Sequence, residues 1–144
     1  MLKKVPIRII DKDFNLLGEV DDYESLQFIR RFYKVGEFEL HLSTNSTNSD
    51  KLVKNNLIML GSNFNKVGII MHRESQIKGD GTDELIIRGP TLKGVMSRRI
   101  IVPPVDSDGY DSQTGSQETI MKAFVGNHVV NPTDADRKIP QIEI

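Results

Sequence analysis

Arg30-Arg31-Phe32-Tyr33-Lys34-Val35-Gly36-Glu37-Phe38-Glu39-Leu40-His41-Leu42 is the stretch from which the fold can be read. Beyond Gly36 the alternation is strict: Phe38, Leu40 and Leu42 share one face, Glu37, Glu39 and His41 the other. A period of two marks an antiparallel strand with one face in a core and one toward water. Gly36 suits either a tight turn at positive φ or a close backbone approach. The segment therefore reads as strand, glycine turn, strand. Nothing in it is arranged for chemistry; it points to architecture.

Toward the N-terminus, residues 5–10 and 14–20 are short apolar runs on either side of Asp11-Lys12-Asp13, a hairpin pattern. After the loop Asp21-Asp22-Tyr23-Glu24, a third strand is expected from Ser25 to Lys34. Leu26, Phe28 and Phe32 fall on one face together with Arg30, while Ile29 points away. A bulge that shifts the register is preferred to a buried guanidinium, which is costly without a partner.

Toward the C-terminus, the polar tract Ser43–Ser49 reads as a mobile loop, and Asp50–Lys54 as a helical turn capped by Ser49 or Asp50. Asn56–Gly61 and Val67–His72 are apolar enough to be strands buried on both faces. Gly79-Asp80-Gly81-Thr82 is a turn, and 67–75 with 84–89 forms the expected hairpin across it. From Pro90 the spacing of Leu92, Val95 and Met96 becomes helical. Ile100-Ile101-Val102 reads as a short strand and 105–113 as a polar loop. In the helix that follows, Thr114 and Gln117 match a capping box, and Ile120, Met121, Phe124, Val125, His128 and Val129 form the apolar stripe. Asn131-Pro132 ends it, and residues 139–144 alternate like the start of a strand.

These elements add up to an α+β, mostly β fold: an antiparallel small barrel or sandwich-like sheet, a short helix at about 90–97 and a longer C-terminal helix at about 115–130. Residues 1–130 are expected to form a single β-rich domain that includes its C-terminal helix. Residues 131–144 are expected to be an extended tail leading into a downstream region.

The 144 residues, 38% hydrophobic and 27% charged, have the size and composition of one ordinary globular domain. Nineteen basic against twenty acidic groups argue against binding to duplex nucleic acid or an anionic membrane, both of which favour a basic surplus. The absence of cysteine excludes disulfides, thiolate metal sites and a cysteine nucleophile. Neither a signal peptide nor an apolar run near the ~20 residues of a spanning helix is present, so folding in a cytoplasm is expected.

Constellations that could carry chemistry are sparse. His41, His72 and His128 lie on three different elements, with no spacing that pairs two imidazoles on one helix face. Asp106-Ser107-Asp108-Gly109-Tyr110-Asp111 resembles part of a calcium loop, but Gln117 stands where the bidentate glutamate belongs. Glu37 with Glu39, and Asp11 with Asp13, are carboxylates two apart; without a cleft they read as solvated faces rather than an acid–base couple. Gly79-Asp80-Gly81 is a turn, not a phosphate loop. Arg30-Arg31-Phe32-Tyr33 mixes cations and rings as single-strand nucleic-acid binders do, though Glu37 and Glu39 would weaken its field. No catalytic, cofactor-binding or metal-binding residue is assigned, no cofactor is expected, and the chain is read as a non-enzyme.

Five segments in order carry a resemblance: Phe32 to Leu40; Gly68-Ile69-Ile70; Ile87-Arg88-Gly89-Pro90-Thr91-Leu92 running to Ser97-Arg98-Arg99-Ile100-Ile101; the helix Glu118 to Val125; and Asn131-Pro132-Thr133-Asp134 to Arg137. Together, over about residues 5–140, they resemble the N-terminal part of the siphophage and prophage tail-hub (tail-tip, baseplate hub) proteins of Gram-positive phages. The resemblance implies a virion structural protein of the tail, made in the host bacterial cytoplasm. It further implies self-association, as a homotrimer in the full-length protein, contact with the distal tail protein and other tail-tip proteins, and passage for the tape measure and DNA; the charge balance sets no membrane partner beside these and disfavours nucleic-acid binding. It carries no catalytic residue over, because the matched segments are fold motifs. The alternatives are a small β-barrel nucleic-acid-binding module, or a carbohydrate-binding module of a wall-active protein. The latter is weakened by three tyrosines and no tryptophan.

Overall fold

The computed structural model describes residues 4–104 and 109–143. The chain divides into two compact units, Met1–Val95 and Met96–Ile144. Among the described residues, the first holds every strand. They are β1 (Ile7–Ile10), β2 (Leu16–Val20), β3 (Ser25–Ile29), β4 (Glu37–Leu42), β5 (Leu57–Leu60), β6 (Val67–Ile69), β7 (His72–Ile77) and β8 (Asp83–Pro90). Two four-stranded antiparallel sheets result, ordered β2-β1-β5-β6 and β3-β4-β8-β7. The expected mostly-β, sandwich-like α+β class is what the chain forms.

Alternation explains the core. Phe38, Leu40 and Leu42 of β4 point inward beside Leu85 and Ile87 of β8, and meet Ile7 and Ile9 of β1, Val20 of β2 and Ile58 of β5 from the first sheet. Each such fully buried aliphatic side chain contributes about 1.5–3 kcal/mol. β5 and β6 are buried on both faces, as their unbroken apolar runs require: Leu57, Met59, Val67 and Ile69 form a second cluster. A bridge between Gly68 and Thr91 ties β6 to the end of β8.

The β1–β2 hairpin stands where it was expected, closed by Asp11, whose carboxylate accepts from the Asp13 and Asn15 amides at 2.9 and 2.8 Å. The bulge lies here, between Ile9 and Ile10, and not in the third strand. β3 ends at Ile29, earlier than the expected Lys34, and its register against β4 is regular from Ser25↔His41 to Ile29↔Glu37. Arg30 is simply exposed in the loop beyond. The connection to β4 is thus a loop over residues 30–36 rather than a tight turn. Gly36 serves close approach: a Cβ there would lie 2.1 Å from the Ile29 carbonyl oxygen and 2.9 Å from Thr91 Cγ2.

The expected hairpin of 67–75 with 84–89 is half right. β7 pairs with β8 from His72↔Arg88 to Ile77↔Asp83 across the 79–82 turn, but Val67–Ile69 belongs to the other sheet. The polar tract Ser43–Ser49 is pinned rather than loose. Ser49 Oγ donates to the Thr44 carbonyl at 2.7 Å, the Thr47 amide to Asp22 at 3.2 Å, and Asn48 Nδ2 to the Glu19 carbonyl at 2.8 Å. The following 3-10 turn, Ser49–Lys51, is preceded by Asn48 in the left-handed region, so neither Ser49 nor Asp50 caps it. A 3-10 helix over Leu92–Arg98 takes the place of the expected short helix at about 90–97, because Pro90 still belongs to β8.

The second unit contains α1 (Gln117–Val125), which runs straight into a π-helical stretch, Gly126–Val130. Its cap is Ser116, whose hydroxyl accepts from the Thr119 amide at 3.3 Å, and not Thr114. Asn131 closes the π turn by donating to the Gly126 carbonyl at 2.8 Å, a five-residue step. That wider turn rotates the stripe: His128 and Val129 are buried, while Met121 is 62% exposed. Ile100–Val102 is not a strand, and neither is the segment from Ile139 through Glu143; Ile144 lies outside the described residues. Instead Arg99 donates to the Arg137 carbonyl at 2.9 Å and Arg137 to the Ile100 carbonyl at 2.6 Å, beside a 3-10 turn at Ala135–Arg137.

Candidate functional site

The outward face of the second sheet carries a connected set of ion pairs. The register that sets Glu39 opposite Arg88 and His41 opposite Ile86 brings side chains of β4, β7 and β8 together. Arg88 donates to Glu39 at 2.6 Å and to Glu74 at 3.0 Å. His41 lies between two carboxylates, Nε2 at 2.7 Å from Glu39 and Nδ1 at 2.9 Å from Glu84. Glu84, only 7% exposed, also accepts from Gln76 at 2.6 Å and faces Lys78 at 3.3 Å, and Lys78 reaches Glu24 at 2.5 Å.

Acidities follow from these contacts. The Gln76 amide, then His41, bring Glu84 down to about 2. Glu39 is lowered mainly by the Arg88 guanidinium, and His41 is raised mainly by Glu39 and then Glu84. At neutral pH the carboxylates are held as anions, so Glu39 is a partner of cations rather than a proton donor. Glu37 faces Arg31 at 2.7 Å. Asp11 is lowered chiefly by its hydrogen bond from the Asn15 side chain, and Asp13 pairs with Lys12 at 3.0 Å. Because Glu39 and Glu84 sit on opposite ring nitrogens of His41, their oxygens do not converge. Among the described residues no three such side chains are grouped to hold a metal ion.

One end of this sheet is different in chemistry. The 30–36 loop presents Phe32, 84% exposed, and Tyr33, 92% exposed, as an edge-to-face pair with centroids 4.8 Å apart. Phe64 on the β5–β6 connection is 83% exposed and lines a cleft with Arg30, Arg31 and Lys93. Lys93 fastens the loop by donating to the Phe32 carbonyl at 2.5 Å, and Thr91 donates its amide to the Gly36 carbonyl at 2.9 Å. Among the described residues, Arg31 with Glu37 is the one ion pair at this end; Arg30, Lys34 and Lys93 pair with no carboxylate.

The second unit holds a separate pair. His128 Nε2 lies 2.8 Å from Asp111 Oδ2, with both side chains buried and the imidazole stacked on Phe124 at 6.3 Å between centroids. The His128 bond is the foremost cause that holds the Asp111 carboxyl below the usual carboxylate range. Asp111 is therefore a structural partner, and Gln117 opens α1; Asp106, Ser107 and Asp108 lie outside the described residues. His72 stands on β7, exposed, in the row of Arg88 and Glu39.

A family model described as Siphovirus ReqiPepy6 Gp37-like protein matches residues 6–144. The chain belongs to that family. It is accordingly a phage protein of the siphovirus kind. No match was found among curated proteins. Among the described residues no helix is long and apolar enough to cross a membrane.

Phe64, Lys93, Glu84 and Lys78 were not singled out from the sequence. The alternation Glu84-Ile86-Arg88 in β8 could have placed Glu84 beside His41. Phe64 offered no signal, because its neighbourhood with Arg30 depends on how the two sheets meet.

Proposed function

We propose that this chain is a structural component of the siphophage tail tip, a tail-hub domain that acts by self-association and by contact with other tail proteins, and not by catalysis. The observation that carries the reading is membership of a siphovirus family over residues 6–144, taken with the tail-hub resemblance of segments such as Phe32–Leu40. Two structural features support it. β7 is an edge strand exposed along its whole length, which leaves backbone groups open for assembly. The loop carrying Phe32 and Tyr33 presents rings beside arginines, the residue types enriched in interface hot spots.

Immunogold electron microscopy of purified particles, with antibody to this chain, tests the role. Label confined to the distal end of the tail supports it. Label on the head, or a chain that is absent from intact particles yet present in infected cells, rejects it.

A further inference from the structure

The second sheet is polar along its strands, in a way that no single element reveals. At the end where β3 stops and β4 starts lie Arg30, Lys34 and Lys93 together with the exposed Phe32–Tyr33 pair. At the other end the loop into β3 carries Asp21 and Asp22, and the β7–β8 turn carries Asp80 and Asp83, all exposed. Lys78 to Glu24 at 2.5 Å and Thr44 to Asp83 at 3.5 Å join these segments. Ile77, 74% exposed, adds an apolar contact point at this acidic end. The two ends are separated by the length of β4, six residues or about 17 Å. The basic end also holds Glu37, paired with Arg31, and the acidic end holds Lys78, paired with Glu24, and Lys4 over the Tyr23 ring, so it is the surplus that differs: cations with rings at one end, carboxylates with an aliphatic side chain at the other.

We infer that the basic, aromatic end of one copy docks on the acidic end of a second copy, so that the chain associates head to tail. This rests on the self-association reading above and names the surfaces that carry it. The occupant follows from charge complementarity. With one acid surplus over the whole chain, the basic end requires a more acidic remainder, and the acidic end of an identical chain has matching charge and an apolar contact. Unlike patches in contact make a heterologous interface, which closes into a ring if the rotation permits and otherwise extends into a filament. Opposite charges on the two patches also penalise head-to-head pairing.

Charge reversal tests it, read by light scattering of the purified full chain over a concentration series at low and high salt. One variant, Arg30→Glu with Lys34→Glu, reverses the basic end; another, Asp21→Lys with Asp83→Lys, reverses the acidic end. All four side chains are exposed. Each variant alone is expected to associate at least tenfold more weakly than the unaltered chain. Their equimolar mixture is expected to recover association, since each then meets a complementary end. Raising salt should weaken every assembly. Association of the unaltered chain that neither reversal changes overturns the head-to-tail interface while leaving self-association standing. A chain that stays monomeric at every concentration, and a mixture that does too, overturns both. Steeply salt-dependent binding of a fluorescent oligothymidylate, lost in the Arg30→Glu, Lys34→Glu variant, with association unaffected, would reassign the basic end to single-stranded nucleic acid.

Discussion

Gly36 shows how a single residue can be required without an unusual torsion. Its place is fixed by the Ile29 carbonyl, into which any Cβ would project. The same crowding occurs at Gly89, where a Cβ would fall 1.8 Å from the Ile69 carbonyl oxygen. Even alanine should therefore disturb the chain. Gly36→Ala is expected to cost about 1–3 kcal/mol in chemical denaturation, the usual penalty for forcing an atom into a filled space. An unchanged midpoint would show that the 30–36 loop can move aside. His41 is the other residue with consequences of its own. Its raised affinity for a proton means that its contribution is complete below the ordinary value of 6.5 and declines as pH rises through the raised one. Glu39 and Glu84 act in the opposite sense. Their contributions are present above the ordinary 4.5 and decline as pH falls through the lowered values, about 2 for Glu84. Stability attributable to this cluster should thus be greatest between those limits. Melting temperature followed from pH 5 to 9 should fall on the alkaline side, and His41→Gln should flatten that fall. A slope that survives the substitution would assign the decline to other groups.

At the scale of elements, α1 and β4 contrast. β4 is determined by its own pattern, since six alternating residues decide which three side chains are buried. Phe38 is 2% exposed and stacks on Phe28 at 6.3 Å, so Phe38→Ala should cost about 3–5 kcal/mol. α1 has no fully buried residue, and Phe124 is only half-buried. Phe124→Ala is expected to cost less, about 1–2 kcal/mol, in line with partial burial of its ring. The start of this helix gives a sharper comparison. Loss of the Ser116 hydroxyl should cost about 0.5–2 kcal/mol, the range for removal of a capping oxygen. Thr114→Ala should leave helix stability unchanged, because Thr114 lies outside the first turn. Circular dichroism melts of both variants decide between them, and equal losses would contradict the cap seen here.

For the whole molecule, protection of the backbone should follow the layout of the sheets. β1, β4, β5 and β8 each have two hydrogen-bonded neighbours, whereas β7 has one and is exposed throughout. Amide exchange should therefore be slowest in β4 and β8 and fastest, among the strands, in β7. At dilutions where light scattering gives a monomer, β7 amides as protected as those of β4 would contradict the edge assignment. The same strand belongs to the surface on which assembly is proposed, so its exchange also reports association: protection that grows with concentration would place the contact near Ile77.

Local pattern determined much of this protein. The period of two in Glu37–Leu42, the turn at 79–82 and the hairpin around Asp11 are short-range features, in which each residue's face or torsion is settled by its neighbours in sequence. The same holds for the helix before Asn131. Tertiary structure decided the rest, because it concerned contacts between residues far apart in the chain. Which sheet receives β6 depends on how it pairs with β5, and why Gly36 must lack a Cβ depends on the approach of the Ile29 carbonyl and of Thr91, 55 residues away. Glu84 became the partner of His41, 43 residues away, only through the pairing of β4 with β8. The opposed basic and acidic ends arose in the same way, from loops that strand direction gathers and that no local window of sequence contains.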